Sequence, residues 1–210
     1  MPYPTTEQIS ERFVVGLALD HLWSETMGLP LDDKEKVLKR LVAVLERTST
    51  PYAVIGGVAV QIYTQRPRAT LDLDIALDSY QDLPRADLKE AGFVFEKEFP
   101  RTENWRDRLS ALPKAGRVVV QFTAVDLAPM AVDHARREQV GDMELQLVTM
   151  PDLILLKLAA AEESTRRPSK KSQDITDVLS LLEEHPELNS IEILHRLRRI
   201  DLFLREHVSR

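Results

Sequence analysis

The chain has 210 residues, with 43% hydrophobic and 30% charged residues and no cysteine, a composition that is typical of a globular protein and excludes disulfides and thiolate metal sites. Its formal net charge of −6 argues against broad, nonspecific binding of nucleic acid, although a local basic cleft is compatible with it. Because no apolar run is long enough to span a membrane and the first residues lack a signal-peptide pattern, we expect a cytoplasmic location and no membrane partner.

Two helices are predicted at the start of the chain, at about residues 7–27 and 33–45, and Asp32 or Asp33 is expected to cap the second. Both carry apolar stripes, which indicate helices that cover a core. A short apolar run at Tyr52–Ile55 then predicts a buried strand, because it lies between a proline and a pair of glycines.

The next stretch combines a glycine turn with two aspartates on one strand. Gly56 and Gly57 permit a sharp turn and the close approach of a ligand, and the start of the following helix presents free N–H groups that suit a phosphate. Because side chains alternate along a strand, Asp72 and Asp74 are expected to point the same way. Two carboxylates this close repel each other unless a cation lies between them, and Mg²⁺ is the usual candidate. We therefore favour a metal site over a solvated strand face.

The remaining periodicities predict an α+β protein with a mixed sheet of about five strands, flanked by helices, and a C-terminal helical layer. Residues 1–150 are expected to form the core together with the N-terminal helices, and residues 151–210 a helical region that packs on it in one compact unit. A polar run at residues 100–106 is compatible with a loop or a strand edge. The further strands are predicted at residues 71–75, 93–95, 118–125 and 143–148, and the further helices at residues 58–65, 85–91, 129–140, 151–161, 171–184 and 190–206.

Several basic residues are candidates for binding phosphate. Arg66 and Arg68 precede the aspartate pair, and a guanidinium group suits a triphosphate, although Arg66 is better explained as a surface charge. Lys157 lies in an otherwise apolar helix, so its ammonium group is paired, faces a cleft, or is carried to water by its long stem. The run 166–171 contains four cations, which suits a phosphate or RNA contact but also a solvated loop.

These motifs together resemble the nucleotidyltransferase superfamily typified by DNA polymerase β. Within it, the chain is similar to the small bacterial nucleotidyltransferase-like proteins of abortive-infection and toxin–antitoxin systems, over about residues 52–182. The resemblance implies a nucleotidyltransferase-like fold and transfer of a nucleoside monophosphate from an NTP, with Mg²⁺, to a hydroxyl group on RNA, protein or a small molecule. It also implies a cognate toxin or antitoxin as a candidate partner. The motifs that carry it are Gly56-Gly57, Arg68-x-Thr70 and Asp72-x-Asp74.

The resemblance also implies roles for individual residues. Asp72 and Asp74 would hold the metal and, with Asp126, carry catalysis. The nucleotide would contact Gly56, Gly57, Arg68, Thr70, Gln121, Lys157 and Lys171.

One position departs from the family pattern. A third carboxylate usually stands on a later strand, and the residue aligned with it is Gln121, which is neither a good base nor a strong Mg²⁺ ligand. Asp126 takes that role only if a bulge intervenes, and is otherwise a strand-end or capping acid. A reduced site would bind nucleotide or a partner protein without catalysis. Asp177 is expected in a structural ion pair, whereas the role of Asp174 stays open.

Overall fold

The computed structural model describes residues 3–26, 28, 33–65, 68–110 and 112–208. Within these ranges the chain forms eight α-helices and seven strands. The helices are α1 (Thr6–Thr26), α2 (Lys34–Arg47), α3 (Gly56–Tyr63), α4 (Arg85–Glu90), α5 (Ala128–Asp133), α6 (Met150–Glu162), α7 (Pro168–Glu184) and α8 (Ile191–Val208). The strands are β1 (Tyr52–Ile55), β2 (Asp72–Leu77), β3 (Phe93–Phe99), β4 (Thr102–Asp107), β5 (Val119–Thr123), β6 (Arg136–Val140) and β7 (Met143–Leu147).

The seven strands form one mixed sheet in the order β3-β4-β5-β2-β1-β7-β6. At its centre β2 pairs antiparallel with β1 and parallel with β5. The register places Asp74 opposite Ile55 of β1 on one side and opposite Gln121 of β5 on the other. The last residue of β1 and the first residues of β2 and β5 therefore lie side by side at the same end of these three central strands.

The predicted α+β class is confirmed, but the sheet has seven strands where about five were predicted. One of the two additional strands is β4, the polar run that allowed a loop or a strand edge. Its residues alternate between half-buried and buried, and it lies between β3 and β5. The charges that it buries are compensated, because Arg85 pairs with Glu103 and Arg40 pairs with Asp107. A polar sequence therefore forms an interior strand here.

The prediction of a helix over residues 129–140 was wrong in its second half. Helix α5 ends at Asp133, and β6 then pairs antiparallel with β7. Gly141, with φ +62°, lies in the tight turn between the two strands. Pairing with β7 across a two-residue turn outweighs the helical pattern, because intrinsic helix preference is a weak guide where a strand finds a partner.

The other predicted elements appear close to their expected positions. Asp33 caps α2 by accepting from the backbone N–H of Lys36, whereas Asp32 and Met27 lie outside the described residues. Helix α6 begins as expected, with Thr149 as its cap and a proline in its first turn. Among the described residues, no helix combines the length and the apolar character that crossing a membrane requires.

Candidate active site

The two aspartates of β2 face the glycine turn at the start of α3. Both side chains are half-buried, and they alternate with Leu73 and Ile75, which are fully buried. Gly56 has φ +66°, and a Cβ atom there would lie 1.9 Å from Oδ2 of Asp74. A residue with a side chain would therefore be strained at this position and would collide with the carboxylate. The metal-binding role of the pair stays a prediction, but β2 brings both carboxylates to the expected face.

Thr70 lies against the second glycine of the turn. A Cβ atom on Gly57 would lie 2.4 Å from Oγ1 of Thr70. The backbone of Thr70 is held on both sides, because its N–H donates to Asp20 at 2.7 Å and its carbonyl accepts from Lys34 at 2.9 Å. The segment that leads into the aspartate pair is thus fixed next to the turn.

Asp20 and Lys34, which sequence reasoning missed, form a buried ion pair beside the site. Buried Gln61 of α3 completes this cluster, because its Nε2 donates to Asp20 at 3.1 Å and to the carbonyl of Arg68 at 2.8 Å. Burial lowers the pKa of Lys34 below its usual range, while Asp20 and then the aspartates of β2 oppose that shift. The only sequence signal was a charged residue on each of two core-facing helices, which most often indicates a solvated face.

Gln121 occupies the place next to the aspartate pair on β5. Its Nε2 donates to Oδ2 of Asp72 at 3.1 Å. Burial, and then the neighbouring charge of Asp74, raise the pKa of Asp72 above its usual value, whereas Lys170, Arg106 and Lys34 act in the opposite direction. The ionised form of Asp72 is therefore disfavoured, and a bound cation would stabilise it.

Asp126 is placed differently from Gln121. It follows the end of β5 by three residues, adopts a left-handed conformation with φ +56°, and forms an ion pair with Arg101. Its side chain is 47% exposed. Of the two residues weighed for the third position, the structure brings Gln121, and not Asp126, into hydrogen-bond contact with the aspartate pair.

Three cations surround two buried carboxylates behind the turn. Arg68 donates from Nε and Nη2 to the two oxygens of Asp177, at 2.7 and 2.8 Å. Lys157 lies 2.7 Å from Asp177 and 3.2 Å from Asp174, and Arg166 lies 2.6 Å from Asp174. This ion-pair network, defined by these five residues, carries one surplus positive charge. It confirms the expected ion pair of Asp177 and shows that Lys157 is paired.

The network shifts the pKa values of Asp177 and Arg68. Burial of Asp177 works against its charge, but the hydrogen bonds from Arg68 and the nearby Lys157 prevail and hold the pKa of this carboxyl below its usual range. Burial likewise works against the charge of Arg68, and the ion pair with Asp177 prevails and raises the pKa of the guanidinium. The ion pair between Arg68 and Asp177 therefore favours the charged form of both partners.

The two lysines at the start of α7 point in different directions. Lys171, predicted to contact the nucleotide, is buried and donates to the carbonyls of Ala161 and Glu163 at 2.7 and 2.5 Å. Its ammonium group also lies over the ring of Phe203. Lys170 is exposed, and its charge acts on Asp72. The sequence named Lys170 only within the basic run 166–171, yet it is the exposed lysine of the two and its charge favours the ionised form of Asp72.

The donor set fits a single Mg²⁺ ion. Among the described residues, no group of three or more His, Cys, Asp or Glu side chains is arranged to hold a metal. Asp72 and Asp74 supply two carboxylates, and Mg²⁺ prefers one or two carboxylates completed by substrate phosphates and water. The site therefore suits an ion that arrives with a phosphate-bearing ligand rather than a closed all-protein cage.

No protein-family model and no curated protein matches the chain. Solved structures do match in fold. A candidate nucleotidyltransferase from H. pylori shares 18% identity with a TM-score of 0.56, covering 81% of this chain and 77% of that one. An antigenic nucleotidyltransferase-like protein from Paracoccidioides brasiliensis shares 21% identity with a TM-score of 0.54, covering 86% and 93%. The antibiotic-resistance factor ANT(2'')-Ia shares 13% identity with a TM-score of 0.51, covering 85% and 95%. At these identities the similarity concerns the fold.

Proposed function

We propose that this chain, which has the nucleotidyltransferase fold, binds a nucleoside triphosphate with Mg²⁺ and transfers the nucleoside monophosphate to a hydroxyl group. The observation that carries the proposal is the contact between Asp74 and the glycine turn at Gly56. A carboxylate suited to a divalent ion lies against a helix start suited to phosphate. Each half of this arrangement is common, but their direct contact favours a ligand that has both parts.

The proposed reaction follows from the chemistry of the triphosphate. The acceptor oxygen forms a bond to the α-phosphorus, the bond from the α-phosphorus to the bridging oxygen breaks, and pyrophosphate leaves while the hydroxyl proton passes to water. Asp72 and Asp74 would hold Mg²⁺, which when bound neutralises charge on the phosphates. The free N–H groups at the start of α3 would donate to phosphate oxygens, because the two glycines leave that backbone accessible.

The ion-pair network supports the binding of a triphosphate. Besides its pairing with Asp177, Arg68 donates from Nη1 to the carbonyl of Ala69 at 3.2 Å and lies within hydrogen-bond distance of the side-chain amide of Gln173. The surplus positive charge of the network and the exposed Lys170 would attract an anion to the cleft. A bidentate ion pair also holds the Arg68 guanidinium in a fixed orientation, so little side-chain entropy is lost on binding.

A second candidate function is nucleotide or partner binding without transfer. Gln121 favours it, because an amide stands beside the aspartate pair where a further carboxylate would help to activate the acceptor. A role as a toxin or antitoxin with a cognate partner rests on the sequence resemblance alone and stays a prediction. The acceptor, whether RNA, protein or a small molecule, is the other part of the proposal that experiment must identify.

The proposal is tested by incubating the protein with Mg²⁺ and each α-³²P-labelled NTP. Total RNA, cell protein and a metabolite extract are supplied in turn as the acceptor. We expect label transfer by the wild type and none by Asp74→Asn. Asp78→Asn is the matched control, because Asp78 is an exposed carboxylate that directly follows β2. Isothermal titration with a non-hydrolysable NTP separates transfer from nucleotide binding alone: binding without transfer supports the second function, and absence of both contradicts every role that involves a nucleotide.

A further inference from the structure

Strands β2 and β5 share a face that carries Asp72, Asp74 and Gln121. Among the described residues, this face offers a cation two anionic side chains. Asp72 and Asp74 are separated by one residue on β2, and Gln121 is in register with Asp74. The described residues contribute no third carboxylate, histidine or cysteine to this group. Thr123, the next residue of β5 on the same face, lies opposite Ala76 and is neutral. Any cation here depends on two carboxylates and on what its ligand brings.

The orientation of the Gln121 amide disfavours a second cation. Its Nε2, a donor, is directed at Oδ2 of Asp72, so the positive end of the amide dipole lies beside that carboxylate. A second ion in a two-ion site stands about 4 Å from the first and requires ligands of its own. One oxygen of Asp72 is already engaged, which leaves too few protein oxygens for two ions.

The acid that follows on the same segment does not supply the missing ligand. Asp126 lies beyond the end of β5, is held by an ion pair with Arg101, and has a left-handed backbone. The ion pair with Arg101 compensates the negative charge of Asp126. This residue also lies outside the paired positions of β2 and β5 at which Asp74 is opposite Gln121.

We infer that the site holds one divalent ion rather than two, and that Gln121 is a positioning residue that orients Asp72 towards that ion. This inference rests on the proposed function, because the ion arrives with the triphosphate. Hydrogen bonds to ligating carboxylates typically affect metal affinity 10–100-fold. The identity of residue 121 therefore sets both the number of ions and the affinity for the single ion.

The number of ions is measured by Mn²⁺ electron paramagnetic resonance on the full chain with a saturating non-hydrolysable NTP, against a blank that contains nucleotide without protein. We expect the spectrum of isolated Mn²⁺ for the wild type. Gln121→Glu restores a carboxylate of nearly the same shape, and we expect two ions about 4 Å apart with a spin-coupled spectrum. Thr123→Glu adds the same charge to the same strand and face, opposite Ala76, and we expect one ion.

The positioning role has a separate readout. Gln121→Leu removes the hydrogen bond to Asp72 without adding charge, and we expect about tenfold weaker Mn²⁺ binding while the melting temperature of the metal-free protein changes little. A coupled two-ion spectrum in the wild type, or a single ion in Gln121→Glu, overturns the inference on ion number. Unchanged Mn²⁺ affinity in Gln121→Leu overturns the positioning role. Failure of the wild type to bind any ion with nucleotide instead contradicts the proposed function.

Discussion

At the scale of single residues, the candidate site depends on what glycine permits. Gly56 occupies a left-handed conformation and leaves no space for a Cβ atom beside Asp74. These two constraints are separable, because Gly141 has nearly the same φ but would place its Cβ atom in open space. The chain therefore contains its own control for the effect of the carboxylate contact.

Gly56→Ala is expected to destabilise the protein more than Gly141→Ala does. The positive φ costs either variant about 1–2 kcal/mol, and the collision with Asp74 adds about 1–3 kcal/mol at Gly56 alone. Urea denaturation measures both losses, and titration with NTP and Mn²⁺ should show binding lost only in Gly56→Ala. Equal losses of stability with equal binding would show that the contact between the turn and the carboxylate is unimportant.

At the scale of elements, α7 carries a buried structural lysine next to an exposed lysine whose charge acts on the site. Adjacent residues of a helix point about 100° apart, so Lys170 and Lys171 cannot share one environment. Lys171 is turned to the last carbonyls of α6 and to α8, while Lys170 is exposed in the first turn. The same helix supplies Asp174 and Asp177 to the ion-pair network, so α7 contributes both packing contacts and charged groups.

The two lysines should give opposite results when each is changed to alanine. Lys171→Ala removes the donor from two carbonyl groups, and we expect a loss of about 1–3 kcal/mol in the free energy of unfolding. Lys170→Ala should change stability by less than about 0.5 kcal/mol and weaken NTP binding about tenfold, or about 1.4 kcal/mol. Chemical denaturation and calorimetric titration of both variants provide the measurement, and a reversed pattern would contradict the assignment.

The ion pairs of Asp177 should make stability depend on pH. Because its folded pKa lies below the unfolded value of about 3.9, its contribution is complete above that pH and is lost as pH falls through the folded pKa. Asp177→Asn leaves Arg68 and Lys157 less well paired, and we expect it to cost about 3 kcal/mol at pH 7. The difference from the wild type should shrink as pH is lowered below about 4 in urea denaturation. A difference that stays constant over this range would exclude the carboxylate charge as its cause.

At the scale of the whole molecule, the helices after residue 150 are bound to the rest of the fold by both apolar and ionic contacts. Leu153, Ile154 and Leu158 of α6 are fully buried or nearly so, and α6 packs against α3 and α5. The ion pair between Arg68 and Asp177 joins the segment before β2 to α7. These contacts support the prediction that residues 1–150 and 151–210 form one compact unit.

One unit should unfold in one step. The far-UV circular dichroism reports all the helices, whereas tryptophan fluorescence reports the exposed Trp23 of α1 and the buried Trp105 of β4, both of which precede residue 151. We expect the two urea transitions to coincide and to shift together to higher denaturant on addition of NTP and Mg²⁺, by about 2.7 kcal/mol at a ligand concentration of 100 Kd. A separate helical transition that leaves the fluorescence unchanged would show that residues 151–210 unfold on their own.

The sequence by itself determined the features that depend on neighbouring residues. A glycine pair between an apolar run and a helix specifies a turn, and the period of two along a strand places Asp72 and Asp74 on one face. The fold class follows from the same kind of local periodicity. These inferences held because backbone conformation and side-chain alternation need no knowledge of distant residues.

Tertiary structure alone decided what lies beside those residues. The register of β5 brings Gln121 to Asp72, and the docking of α1 and α2 brings Asp20 and Lys34 to Thr70. Each of these contacts joins positions far apart in the chain, so no local period encodes it. Their physical cause is the burial of charged and polar groups, which must find partners wherever the fold places them.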